Sequence, residues 1–179
     1  EHDIWDFFDG KAAPSACLPV GVVLTIAASG SEMSNSCVIT DDEHNLKRGC
    51  NHDGNRPLVA FMNPENTLTV PKYQTAAGTV DIMMHTMERY LTADPETPLT
   101  DRLAEALLKT VKDCGSRLVE DPKDLQARTD LMWASSLAHN DITGCGRNRT
   151  FTAHKIEHDL SGVHDNITHG AGLAVVFPA

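Results

Sequence analysis

Four imidazoles fall within sixteen residues of this chain: His154, His158, His164 and His169. Histidine is the commonest metal-binding side chain and the one whose charge changes nearest neutral pH, so the cluster points to metal or proton chemistry. His154 and His158 stand four residues apart, one turn along a shared helix face. His169 lies beyond a break, beside Gly170, where the backbone can turn sharply. A metal site built on these groups needs a further ligand from elsewhere. Asp81 and His85 form a second four-residue pair that presents a carboxylate and an imidazole on one helix face. Together Asp81, His85, His154 and His169 make one hard oxygen and three borderline nitrogens, a set suited to Fe(II) or Zn(II). Taken singly, Asp81 with His85 reads as a surface pair, and His154 with His158 favours neither a metal site nor an ordinary helix face. Two such pairs on helices of one region, with His169 after a turn, favour the metal reading.

The totals narrow the field. A length of 179 residues is that of one domain or one and a half, and 41% hydrophobic with 22% charged residues is globular composition. No apolar run approaches the roughly 18 residues of a membrane span, and no basic-then-apolar leader is seen. The chain starts Glu1-His2-Asp3 without an initiator methionine, as expected of a processed or partial chain. A net charge of −10 argues against nucleic acid, because phosphate binding needs clustered Lys and Arg. Five cysteines, scattered and without a Cys-x-x-Cys pair, predict reduced thiols in a cytoplasmic protein, with Cys37 and Cys114 in the core.

The elements that must position the site follow in two blocks. Asp3 to Pro19 carries turn signals around Trp5, Phe7 and Phe8, and reads as a loop or short helix. Val20-Gly-Val-Val-Leu-Thr-Ile-Ala27 predicts a buried strand opening into the small, polar turn Ala28 to Ser34, the kind of place where open α/β sheets hold ligands. Cys37 to Thr40 and Pro57 to Met62 predict two further strands, with a polar loop from Asp41 to Arg56 that leaves His44 and His52 in solvent. From Pro71 onward the pattern is helical. Tyr73 to Leu91 is one helix; Thr97-Pro98 starts another, with a stripe of Leu99, Leu103, Leu107 and Val111. Asp121-Pro122 opens a third, ending near Asn140 and broken by Gly144-Cys-Gly146. A fourth carries His154 and His158, and Gly170 to Phe177 begins one more. There is no Gly-x-Gly-x-x-Gly and no Gly-x-x-x-x-Gly-Lys loop. The expected fold class is an α/β portion over residues 1–70 followed by an all-α portion over 71–179.

Three strings carry a more specific likeness: Leu18-Pro-Val-Gly-Val-Val-Leu-Thr-Ile-Ala-Ala-Ser-Gly-Ser-Glu-Met-Ser34, Gly78-Thr-Val-Asp-Ile-Met-Met-His-Thr-Met-Glu-Arg-Tyr90, and His154-x-x-x-His158 with Thr168-His-Gly-Ala-Gly-Leu-Ala174. With Met132-Trp-Ala-Ser-Ser-Leu-Ala-His-Asn140 between them, they resemble the iron-containing alcohol dehydrogenases, in particular the butanol dehydrogenase-like branch. The resemblance runs through essentially the whole chain. It implies a partial dehydroquinate synthase-like fold, in which an α/β dinucleotide domain is followed by a helical metal domain. It matches Asp81, His85, His154 and His169 to the metal ligands and His158 to a residue for substrate contact or proton relay. Thr25, Ser29, Ser34, Val38 and Lys47 match positions lining the dinucleotide, with Lys47 near a ribose and Ser29 near the pyrophosphate or nicotinamide.

The chemistry so implied is hydride transfer between NAD(P)H and a metal-bound alcohol or aldehyde. A divalent ion polarises the oxygen where charge forms, and His158 handles the proton. A small alcohol or aldehyde is the expected partner, with a homo-oligomer in the longer form. Two departures are visible. His154 and His169 are fifteen residues apart, one more than the family pattern leads us to expect, which places an extra residue near Asn166. His164 stands where an aromatic is expected and reads as a polar residue at the cleft edge. Family members are about twice this length, so the glycine-rich pyrophosphate loop and later helices are expected to lie outside this chain, leaving a poor catalyst alone. Rival readings are a helical metal-binding module without redox activity, or a metal-dependent hydrolase or lyase. The absence of His-Glu-x-x-His counts against a zinc peptidase.

Overall fold

The computed structural model describes residues 2–94, 96–148 and 150–179. A short helix α1 (Ile4–Phe8) opens it, closed at its N-terminus by Asp3, whose side chain accepts from Trp5 N, with Asp6 reaching back to the Asp3 amide. Strands β1 (Gly21–Val23), β2 (Ser36–Asp41), β3 (Leu46–Asn51) and β4 (Val59–Phe61) follow. Strands β1 and β4 pair in parallel, Val22 opposite Ala60; β2 and β3 form an antiparallel hairpin, Cys37 opposite Cys50.

The expected strand from Val20 to Ala27 is shorter than its apolar run. Among the described residues β1 pairs only with β4, and Val23 and Phe61 are exposed. Strand β3 lies within what the sequence reads as a polar loop. Its residues Leu-Lys-Arg-Gly-Cys-Asn lack alternation; pairing with β2 and packing against the later helix bearing His154 supply the stabilisation instead. The hairpin turn is set by Asp41, whose Oδ1 accepts from the amides of Glu43 and His44, and by Asn45 at φ 53°. Cys37, expected in the core, is exposed, because residues 36 and 38 face the cleft described below and the alternation turns Cys37 away from it. Cys114 is buried as expected.

Helix α2 (Lys72–Tyr90) is the central element. It packs against α3 (Pro98–Glu120) and α4 (Leu125–Ala138) on one side, and against α6 (His169–Val176), which in turn packs on α5 (Thr152–Val163), on the other. Ile82, Leu107, Val111, Cys114, Leu118, Leu131 and Met132 form the main core. The buried stripe of α3 is Thr100, Ala104, Leu107, Val111, Cys114 and Leu118, whereas Leu99 and Leu103 are exposed. Spacing alternately four and three residues holds a stripe on one face, while a strict four-residue repeat drifts around the helix. Thr97 precedes α3 but does not cap it; its hydroxyl bonds Asp101 instead. A smaller cluster of Met84, Ala153 and Leu173, with Met87, Val176 and Phe177 against it, fastens α5 and α6 to α2. No helix among the described residues is long and apolar enough to cross a membrane.

Candidate metal centre and cleft

Helix periodicity puts Asp81, His85 and Glu88 of α2 on one buried face, at i, i+4 and i+7. Helix α5 brings His154 against that face, and the first residue of α6 brings His169. His154 Nε2 is 3.6 Å and His169 Nε2 is 3.7 Å from Asp81 Oδ1. Candidate ligand atoms of Asp81, His85 and His154 lie within 4.8 Å of one another. Tetrahedral donors at about 2.1 Å from one cation are separated by about 3.4 Å. Asp81 Oδ1 and His154 Nε2 are buried with no hydrogen-bond partner among the described residues. Buried polar atoms are normally satisfied, so two facing orphans at this spacing fit a divalent cation between them.

Each imidazole has its other nitrogen occupied. His85 Nδ1 is 2.9 Å from the Asp81 carbonyl oxygen. His154 Nδ1 bonds the Glu88 carboxylate, and His169 Nδ1 bonds Glu157. Glu157 and His158 form a second tight group with His169, within which His169 Nδ1 is bonded to Glu157. Glu88 also serves the backbone: its Oε1 accepts from Ala153 N at 2.7 Å and its Oε2 from His154 N at 3.3 Å. These are first-turn amides of α5, whose own N-cap, Phe151, offers no side-chain acceptor.

Burial pushes the Asp81 carboxyl up, but His85, His154 and His169 outweigh it and hold the group below the usual carboxylate range. Burial drives His85 well below the ordinary histidine value against the pull of Asp81, with His139, His154 and Arg89 adding to the effect. Burial likewise presses on His154, yet the carboxylates of Asp81 and Glu88 beside it raise it. His158 is lowered to about 4 by burial, with His169 and Lys47 adding to the effect.

The cluster opens into a cleft of about 790 Å³. Its far wall is the loop after β1 and one face of the hairpin, including Ser29, Ser34, Val38 and Lys47; its near wall is His85, His154, His158 and His169. Lys47 crosses between the two, donating to Ser161 of α5 at 2.9 Å. Thr25, grouped with the dinucleotide positions by resemblance, is exposed and does not line this cleft. His164 is the exposed C-terminal cap of α5 and does not line it either. Between α5 and α6 the chain makes a turn, Ile167 N to His164 O at 3.0 Å, with Thr168 immediately before α6. His44 is exposed; His52 is half-buried, caps the short turn Asp53–Asn55 and contacts Cys17 Sγ at 3.6 Å.

Sequence reasoning passed over five residues of this site. The His139 ring lies 4.0 Å from that of His85, tilted by 53°, and Phe151 lies 5.1 Å from His154. Arg89, 1% exposed, donates to the carbonyls of His85 and Ala138 and covers the Phe151 ring at 4.6 Å. Glu88 and Glu157 complete the list. The available signal was periodicity: Glu88 shares the Asp81 and His85 face, and Glu157 is three residues from His154.

Comparison with known proteins settles the family. The sequence model "Fe-containing alcohol dehydrogenase family, C-terminal" matches residues 75–179, and "Iron-containing alcohol dehydrogenase" matches residues 1–64. The chain belongs to the iron-containing alcohol dehydrogenase family. It is 44% identical over 178 residues to NADH-dependent butanol dehydrogenase A of Clostridium acetobutylicum, covering 99% of this chain and 46% of that protein. To the NADPH-dependent aldehyde reductase YqhD of Escherichia coli it is 34% identical, covering 95% and 43%. The crystal structure of NADH-dependent butanol dehydrogenase A from Thermotoga maritima superposes with a TM-score of 0.95 at 39% identity, covering 99% of this chain and 44% of that one. The architecture is thus part of the iron-alcohol-dehydrogenase fold, a small α/β portion with a helical portion. The chain spans under half the length of these relatives.

Proposed function

We propose that this chain forms the metal-centred half of the active cleft of an NAD(P)-linked alcohol dehydrogenase or aldehyde reductase acting on a small alcohol or aldehyde. Residues 1–70 are then the end of the dinucleotide-binding domain and residues 71–179 the first part of the helical metal-binding domain. The observation that carries the reading is the buried Asp81 Oδ1, without a hydrogen bond among the described residues and ringed by nitrogens of His85, His154 and His169 at 3.2, 3.6 and 3.7 Å beside the cleft.

Asp81, His85, His154 and His169 would hold the cation, Fe(II) or Zn(II) by the chemistry of the donor set. Bound there, it supplies Lewis acidity at the substrate oxygen, and a nicotinamide supplies or takes the hydride. The protein's own side chains do the rest. Phe151 offers an apolar face beside His154 for an alkyl chain. His158, on the cleft wall and neutral above its lowered pKa, can accept a proton at one ring nitrogen while releasing one at the other. Ser29, Ser34, Val38 and Lys47 face the metal set across the cleft, where a dinucleotide would lie, with the Lys47 ammonium as its cationic contact.

The test is butyraldehyde-dependent oxidation of NADH or NADPH by the Fe(II)- or Zn(II)-loaded chain, with dinucleotide binding followed by nicotinamide fluorescence. Turnover, or metal-dependent dinucleotide binding, that disappears in Asp81→Ala supports the reading. Metal binding with no nicotinamide affinity would favour a non-redox module, and nicotinamide-independent hydrolysis would favour a hydrolase.

A further inference from the structure

Two carboxylates stand behind the ligand set, and neither lines the cleft. Glu157 is fully buried, and its Oε2 takes the Nδ1 hydrogen of His169. Its Oε1 has no partner among the described residues. Room for the side chain comes from α6: a Cβ on Gly172 would lie 2.8 Å from Glu157 Cγ. Glu88 meets His154 Nδ1 in the same way from α2. The third imidazole, His85, has at this position the Asp81 carbonyl oxygen at 2.9 Å and Asp81 Oδ1 at 3.2 Å, with no separate carboxylate behind it. Burying a carboxylate costs several kcal/mol unless a partner offsets it, and an apolar side chain at the same place would carry no such penalty. Packing therefore does not account for an acid at position 157.

We propose that Glu157, with Glu88 as its counterpart, is a positioning residue of the metal site. By accepting the Nδ1 hydrogen, each carboxylate holds its imidazole in the tautomer whose Nε2 lone pair faces Asp81 and makes that nitrogen a stronger donor. Helix α5 thus contributes one ligand, His154, and three residues later the group that orients the next ligand, His169, across the intervening turn. The inference rests on the metal reading above and concerns how tightly and in what geometry the cation is held.

The probe is Co(II), titrated into the metal-free chain against a competing chelator dye, with its visible ligand-field absorption recorded. Glu157→Leu removes charge and acceptor; Glu157→Gln keeps an acceptor oxygen; Asp81→Ala removes a ligand. Loss of such an outer partner weakens metal binding by roughly 10–100-fold. Expected are a weakening of that size and an altered Co(II) spectrum in Glu157→Leu, and a partial recovery in Glu157→Gln. Glu157→Leu leaves the His169 Nδ1 hydrogen without its acceptor, so its metal-free melting temperature should fall; the Co(II) spectrum and the recovery in Glu157→Gln are the readouts that a purely structural role would not move. Wild-type Co(II) affinity and spectrum in both Glu157 variants would overturn the proposal while leaving the metal site intact. A wild-type chain that binds Co(II) no better than Asp81→Ala would overturn the metal reading and this proposal together. Should Glu157→Leu not fold, Glu157→Gln decides alone, by a weakened affinity or none.

Discussion

Gly170→Ala is the sharpest probe of how the helices hold the site. Gly170 is the second residue of α6, and a Cβ placed on it would lie 1.9 Å from the carbonyl oxygen of Ala77 in α2. An ordinary carbon–oxygen contact is about 3.3 Å, so α6 must retreat by roughly 1.4 Å. The obstructing atom is helix backbone and cannot rotate aside. His169, the adjacent residue, carries the nitrogen 3.7 Å from Asp81 Oδ1. Metal–ligand bonds tolerate about 0.2 Å, so on the proposed metal reading the displacement takes His169 out of reach of the cation. Overpacking of this kind costs about 1–3 kcal/mol, against which the better helix propensity of alanine returns about 1 kcal/mol. The expected variant melts lower than wild type and binds Co(II) or Zn(II) more weakly by about 100-fold or more, the upper end of outer-partner losses. Chelator competition and thermal melting of the metal-free chain give both readouts. Gly49→Ala is the control, since its Cβ would meet nothing nearer than 3.8 Å. If Gly170→Ala melts and binds metal as Gly49→Ala does, the α2–α6 contact does not position His169.

Three further outcomes are expected. Arg89→Met should lower stability by about 1–3 kcal/mol in urea unfolding, because the carbonyls of His85 and Ala138 lose the guanidinium donor; Arg89→Lys should recover little, lacking the forked geometry. Leu118→Ala should cost about 2–5 kcal/mol, whereas Leu99→Ala should stay within about 0.5 kcal/mol; comparable losses would refute the assigned stripe of α3. His158 refuses protonation in the fold until pH about 4, while the unfolded chain takes up that proton near 6.5. Its contribution to stability is therefore present above pH 6.5 and lost as pH falls toward 4. After allowance for partial exposure, the loss is on the order of 1–2 kcal/mol. Metal-free His158→Gln should show a correspondingly flatter pH dependence in urea unfolding between those values.

The helical half was largely legible because amphipathic period and end signals agree there: α2 begins and ends within a residue of its expected limits, and the pairs Asp81/His85 on α2 and His154/His158 on α5 follow from the four-residue spacing alone. The convergence of Asp81, His154 and His169 was not available from spacing, since it depends on how α5 and α6 fold back onto α2. Glu88 and Glu157 escaped notice because acids on helices are usually solvated, and only burial distinguishes these two. The α/β half was harder. Strand β3 has no apolar alternation and owes its form to a partner strand, and Cys37 sits in an apolar string whose outward face is exposed. In α3, four leucine-type positions at a constant interval looked like a stripe, but the packed face needs alternating intervals, and Leu99 and Leu103 fall outside it.

The central claim is that Asp81, His85, His154 and His169 hold one divalent cation. X-ray absorption at the metal edge, on the chain loaded with Fe(II) or Zn(II), tests it most directly. The expected result is one ion per chain with nitrogen and oxygen neighbours at about 2.0–2.2 Å, an imidazole scattering pattern, and loss of the bound ion in Asp81→Ala. Sulfur neighbours at about 2.3 Å, or a bound ion indifferent to Asp81→Ala, would contradict it.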